Sequence, residues 1–190
     1  MKKNSLISNP AFKIVLTAIN MGLYAVVGLL TYFGITVGGI KFWPAVIVPA
    51  TFSVLFGPYI GGVGAAGGIF IADLLTHGDA LLSLTAGVTA NFTAFFILGY
   101  LTYNKYTVKR YLISATGSLL IGSAIIGLAL FLWTQIFTLP GQAFAPWTWV
   151  AALTYFGWTF LSEIPFLLLV VPPIIKTVRH SLPSIFSTDS

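Results

Sequence analysis

The chain has 190 residues, of which 57% are hydrophobic and only 7% are charged, against about 25% charged residues in an ordinary soluble domain. Nine bases and four acids cannot cover the surface of a water-soluble protein of this size, so the bilayer must surround most of its side chains. The absence of cysteine excludes disulfides, iron–sulfur clusters and cysteine-ligated zinc. The net charge of +5 does not indicate nucleic acid, because the bases form short clusters between apolar runs.

Six apolar segments predict an all-α integral membrane protein with one domain, residues 1–190, and six transmembrane helices. The predicted helices cover residues 12–33, 44–56, 59–75, 80–103, 111–133 and 147–175. Only Gly57 and Pro58 separate the second and third segments, which could therefore form one long kinked helix instead. With six helices, the only base on the external side is Lys41, as the positive-inside rule favours. Both termini are then expected in the cytoplasm, beneath the plasma membrane of a prokaryote.

Small residues recur at helical spacing in two segments. Residues 57–68 contain six glycines, and such a face packs either against the chain's own helices or against a partner subunit. Ala18, Gly22 and Ala25 form a similar stripe on the first helix. Internal packing and docking of another membrane protein explain this second stripe equally well.

Ionisable and amide groups inside or beside the predicted spans are candidates for ligand binding. Glu163 lies deep in the sixth span and shares a stripe with Tyr155 and Thr159, although it could simply be a buried carboxyl bonded to another helix. Asn91 lies in the middle of the fourth span and could orient a ligand or bridge helices.

A second polar group lies at the external end of the third span. Asp73 and His77 share a helix face, and Asp79 follows. Their chemistry resembles a metal site only weakly, and substrate contact or loop anchoring is favoured. Lys41, close to Trp43, could meet an anionic ligand or simply face water. No nucleotide-binding loop and no catalytic motif is present, so neither an enzyme nor a cofactor is predicted.

Size, topology and residues 54–62, which read Val-Leu-Phe-Gly-Pro-Tyr-Ile-Gly-Gly, resemble the S components of energy-coupling factor (ECF) transporters. The small face at Ala18, Gly22 and Ala25 is similar to that family's alanine motif, which docks on the transmembrane coupling subunit. The resemblance implies an S-component-like helix bundle whose partners are that coupling subunit and two ATP-binding subunits. It also implies that a vitamin or related micronutrient binds near the external face, under a lid formed by the first external loop.

The sequence therefore predicts a substrate-binding subunit of a micronutrient importer. The predicted substrate-binding residues are Lys41, Trp43, His77, Asn91, Trp147, Tyr155 and Glu163. The alternatives are a membrane-embedded enzyme, and a channel or assembly protein that transports no substrate.

Overall fold

The computed structural model describes residues 9–31, 35–37 and 40–183. Its six main helices are α1 (Pro10–Thr31), α2 (Ile47–Phe56), α3 (Pro58–Thr76), α4 (Ala80–Thr102), α5 (Val108–Thr134) and α6 (Trp149–Ser181). All except α2 are long and apolar enough to cross a membrane. The prediction of an all-helical bundle with six helices is confirmed.

Two irregular stretches interrupt α4 and α6. Residues Ser83–Val88 of α4 form a π-helical segment, a widened turn that is often found at functional sites. In α6, Pro165 lies inside the segment Trp149–Leu169, and a second segment, Val171–Ser181, follows it. Proline lacks a backbone N–H, so Pro165 removes one helical hydrogen bond two residues after Glu163, and α6 is interrupted at Val170.

The connection between α1 and α2 contains a short antiparallel hairpin. Strand β1 (Thr36–Val37) pairs with β2 (Ile40–Lys41), in the register Thr36 with Lys41 and Val37 with Ile40. A 3₁₀ turn, Pro44–Val46, then leads directly into α2. This segment also contacts α6, because the rings of Phe42 and Phe166 meet edge to face with centroids 5.3 Å apart.

The short helix α2 is shielded by its neighbours, which explains how it can lie within a bilayer. Ala50 and Val54 are both 0% exposed, and α2 contacts α1, α3, α4 and α6. Gly57 separates α2 from α3 with φ of 102°, a backbone conformation that glycine adopts without steric cost. The sharp turn at Gly57 therefore makes two helices of these segments, not one long kinked helix.

The glycine-rich face of α3 packs inside the chain. A methyl group at Gly61 would overlap Ser53 of α2, and one at Gly64 would overlap Asn20 of α1. Asn20 is fully buried and donates a hydrogen bond to the carbonyl of Ile60 over 2.9 Å. This surface thus serves close packing of α3 against α1 and α2, as small residues permit in lipid.

Candidate functional site

A cavity of about 300 Å³ lies within the bundle, between the ends of the helices predicted to be external. Residues from α1, α3, α4, α5 and α6 line it, together with Trp43 and the connection between α5 and α6. The cavity brings together six of the seven predicted substrate-binding residues: Trp43, His77, Asn91, Trp147, Tyr155 and Glu163. The seventh, Lys41, has a side chain outside the described part of the structure.

One wall of the cavity is a polar stripe on α6. Tyr155, Thr159 and Glu163 recur every fourth residue and all face the cavity. Thr159 is 9% exposed, and its hydroxyl oxygen has no hydrogen-bond partner among the described residues. The carboxyl group of Glu163 likewise receives no hydrogen bond from any described residue. Buried polar groups are normally paired, so these two groups are available for a ligand.

The opposite wall is held by a chain of hydrogen bonds. Trp43 Nε1 donates to the hydroxyl oxygen of Tyr24 over 3.0 Å, and that hydroxyl donates to Asn91 Oδ1 over 2.6 Å. Asn91 Nδ2 in turn donates to the carbonyl of Gly87 over 2.9 Å. Since an amide carries two N–H groups, Asn91 keeps one donor while its orientation is fixed by the protein.

Trp43 is packed tightly against α1 as well as hydrogen-bonded. It is 7% exposed, and a methyl group at Gly28 would overlap its indole ring. The ring also meets Tyr24 edge to face, with centroids 6.3 Å apart. The connection between α1 and α2 is thereby anchored to α1 at the edge of the cavity.

The π-helical segment of α4 turns Ser83 toward α3. Ser83 Oγ donates a hydrogen bond to Asp73 Oδ2 over 2.7 Å. A methyl group at Gly87 would lie 2.6 Å from the same oxygen, so the lack of a side chain at Gly87 gives the carboxylate room beside α4. His77 Nε2 lies 3.7 Å from Asp73 Oδ1, which gives this end of the cavity a linked carboxylate and imidazole.

Asp79 belongs to the helix end, not to the cavity. Its Oδ1 accepts a hydrogen bond from the backbone N–H of Leu82 over 2.9 Å, which caps the start of α4. The backbone N–H of Asp79 donates to His77 Nδ1 over 3.2 Å. Among the described residues, no group of three or more histidines and acids is placed to hold a metal ion. Loop anchoring therefore accounts for Asp79.

The connection between α5 and α6 also lines the cavity. Leu139, Pro140 and Gln142 from this connection line it. The connection is fixed to α5, because Gln135 Nε2 donates to the carbonyl of Trp147 over 3.1 Å and the Trp147 N–H donates to Thr134 Oγ1 over 3.2 Å. Trp147 then packs on Tyr155, with ring centroids 5.3 Å apart.

The predicted set of substrate-binding residues did not include several residues that line the cavity: Tyr24, Asp73, Ser83, Gln142 and Thr159. Thr159 could have been included on its spacing with Glu163, and Asp73 on its spacing with His77. No sequence signal distinguished Tyr24, which lies on a helix whose apolar residues point in all directions.

The structure divides the small-residue stripe of α1. Ala18 and Gly22 are exposed, and a methyl group at Gly22 would meet no atom within 4 Å. Ala25, which the sequence grouped with them, is 3% exposed and is buried by the chain itself. An exposed docking face on α1 can therefore include Ala18 and Gly22 but not Ala25.

Comparison with solved structures finds the same fold in ThiT from Listeria monocytogenes. The two proteins share 14% sequence identity, and the match has a TM-score of 0.56 over 92% of this chain and 98% of the ThiT chain. No protein-family model and no curated protein matches the sequence.

Proposed function

We propose that this chain is the substrate-binding S component of an ECF importer and that it captures a small, water-soluble micronutrient from outside the cell. The cavity carries this proposal, because aromatic rings and polar groups from several helices converge on it, among them the unpaired hydroxyl group of Thr159. Its volume of about 300 Å³ is at the lower end of the range for small-molecule sites.

The fold of the chain supports the same function. ThiT is a thiamine-binding S component of an ECF transporter, and the two structures match over most of both chains. In such a system ATP is hydrolysed by other subunits, in agreement with the lack of a nucleotide-binding loop in this sequence. The partners of the present chain would be a transmembrane coupling subunit and two ATP-binding subunits.

The charges of the lining groups favour a cationic ligand. Asp73 and Glu163 both line the cavity, and no lysine or arginine is found among its described lining residues. With a neutral ligand the Glu163 carboxyl would have to stay protonated, whereas a cationic ligand would stabilise its ionised form. The rings of Trp147 and Tyr155 add faces on which a flat cation can stack. The proposed ligand is thus a flat, positively charged micronutrient.

The packing below the cavity argues against a channel. Toward the other end of the bundle, the interior is filled by apolar side chains such as Val54, Leu98 and Leu167, each at most 1% exposed. A continuous aqueous path would need polar groups along this length. The enzyme alternative is disfavoured as well, since the fold is that of a transporter's binding subunit.

Mass spectrometry of small molecules that co-purify with the protein tests the proposal. Wild-type protein should carry one enriched compound that is aromatic and positively charged. The Thr159→Phe variant should lose it, because the larger ring fills the cavity. Thr154→Phe is the matched control, since Thr154 lies on the same helix but is exposed on its outer side and should retain the compound.

The possible results separate the two parts of the proposal. Equal enrichment on both variants, or none on the wild type, would remove the cavity as the binding site. Enrichment of a neutral or anionic compound that Thr159→Phe loses would leave a binding subunit but contradict the assigned charge. Circular dichroism melting of each variant verifies that the proteins compared are folded.

A further inference from the structure

A second cavity lies at the opposite end of the bundle, between the α4–α5 connection and the last turns of α6. Its volume is about 380 Å³, and none of its lining residues lines the first cavity. We refer to it as the basic trough. Its lining residues are Tyr106, Val108, Pro172, Pro173, Ile175, Lys176 and Arg179.

The polar side of the basic trough is cationic. Lys176 and Arg179 are three residues apart on α6 and both line the trough. The Arg179 guanidinium carbon lies 4.7 Å from the centroid of the Tyr106 ring, and this contact holds the side chain in place. No carboxylate of a described residue forms an ion pair with either base.

Arg179 also has an unused hydrogen-bond donor. Its Nε is buried and has no hydrogen-bond partner among the described residues. Guanidinium N–H groups are matched in geometry to phosphate and carboxylate oxygens. An anion in the trough would satisfy a donor that the protein itself leaves unpaired.

The other side of the trough is apolar, and this distinguishes the kind of anion that fits. Val108, Pro172, Pro173 and Ile175 form that side. A free inorganic ion would leave this surface without a partner, whereas a phospholipid can place its phosphate on the bases and an acyl chain along the apolar side. The positive-inside rule puts this end of the bundle at the cytoplasmic leaflet, where anionic lipids attract clusters of Lys and Arg.

We propose that the basic trough binds an anionic phospholipid, with its phosphate between Lys176 and Arg179 and an acyl chain against Val108 and Pro172. Three further bases lie close in sequence to Tyr106 and Val108, namely Lys105, Lys109 and Arg110. Their field draws the same lipid toward this end of the protein. The lipid would fix the final segment of α6 relative to the α4–α5 connection.

Native mass spectrometry of the purified full-length protein tests this site directly. Phosphatidylglycerol is titrated into detergent-solubilised protein, and phosphatidylcholine is titrated in parallel as the zwitterionic probe. We expect one phosphatidylglycerol to bind to the wild type in preference to phosphatidylcholine. The variants Lys176→Gln and Arg179→Gln should each weaken this binding by about fivefold, as expected for one base at a membrane surface.

Lys109→Gln is the matched control, because Lys109 is an exposed base near the same end that does not line the trough. It should weaken phosphatidylglycerol binding far less than the two trough variants do, because it removes only a distant contribution to the field. Equal losses from Lys109→Gln and the trough variants would mean that the lipid responds only to overall charge and would overturn the proposal. Equal binding of the two lipids to the wild type would overturn it too.

Two further probes separate a lipid from other anions. Inorganic phosphate at millimolar concentration should not displace phosphatidylglycerol, and displacement would identify the site as one for free phosphate. The trough variants could instead bind phosphatidylglycerol normally and no longer co-purify with the coupling subunit. That result would mean that the bases bind an acidic partner protein, and it would contradict the proposed lipid site. Melting curves of all variants exclude loss of the fold as the cause.

Discussion

At the scale of single residues, Glu163 is the group on which the candidate site most depends. A carboxyl group inside a bilayer is costly unless it is protonated, paired or hydrogen-bonded, and no described residue provides a hydrogen bond to it. We predict that Glu163→Gln lowers the affinity for the co-purifying ligand by about tenfold to 150-fold. This range corresponds to the loss of one hydrogen bond to a charged group, roughly 1.5–3 kcal/mol. Calorimetric titration of the identified ligand measures the change.

Asp79 provides the matched control for this substitution. It is also an acid, but it caps α4 and does not line the cavity. Asp79→Asn should bind the ligand with unchanged affinity. A Glu163→Gln variant that binds normally but melts at a lower temperature would assign Glu163 a structural role and move the site toward Asn91 and Asp73.

At the scale of elements, α1 has one face that holds the cavity together and another that is unoccupied. Tyr24 and Gly28 are buried against the rest of the bundle, whereas Ala18 and Gly22 are exposed. If this exposed face docks the coupling subunit, a bulky ring there prevents the close approach of two helix backbones. We predict that Ala18→Trp and Gly22→Trp each abolish co-purification with the coupling subunit while ligand affinity stays unchanged.

The control for α1 is Leu23→Trp. Leu23 is 45% exposed and lies about 100° around the helix from Gly22, so its substitution adds the same ring to another outward face. This variant should still co-purify with the coupling subunit. Complex formation by both Ala18→Trp and Gly22→Trp would show that the small face serves another purpose, such as contact with lipid.

At the scale of the whole molecule, the orientation in the membrane determines which cavity meets the outside. The chain has no cysteine, so single cysteines can be introduced without interference. Lys105 in the α4–α5 connection and Thr138 in the α5–α6 connection are both exposed. We predict that an impermeant maleimide added to intact cells labels Thr138→Cys, and labels Lys105→Cys only after the membrane is permeabilised.

The opposite labelling pattern would mean that the protein has the inverted orientation in the membrane and that the candidate site lies on the cytoplasmic side. Labelling of both variants from outside would contradict the single membrane crossing, helix α5, between these two connections and the positive-inside assignment on which the topology rests. Labelling of both after permeabilisation establishes that each cysteine is reachable.

The sequence by itself determined the helices and one wall of the candidate site. Apolar run length and the placement of bases are local properties, and they predicted six helices even where α2 is too short to span a bilayer alone. The turn at Gly57 was visible as Phe-Gly-Pro between two apolar runs. The stripe of Tyr155, Thr159 and Glu163 followed from helical periodicity alone, since residues four apart share a face.

Only the tertiary structure decided how those helices are rotated against each other. In a lipid environment apolar side chains face outward as readily as inward, so hydrophobicity does not identify the packed face. The sequence pattern therefore did not identify Tyr24 as a site residue, although it links Trp43 to Asn91 within one wall of the cavity. Ala25 and Gly22 look equivalent in sequence, yet one is buried and the other is exposed. Contacts between residues distant in the chain, such as Gly64 against Asn20, determine which helices are neighbours. The spacing of residues along the sequence does not predict such contacts.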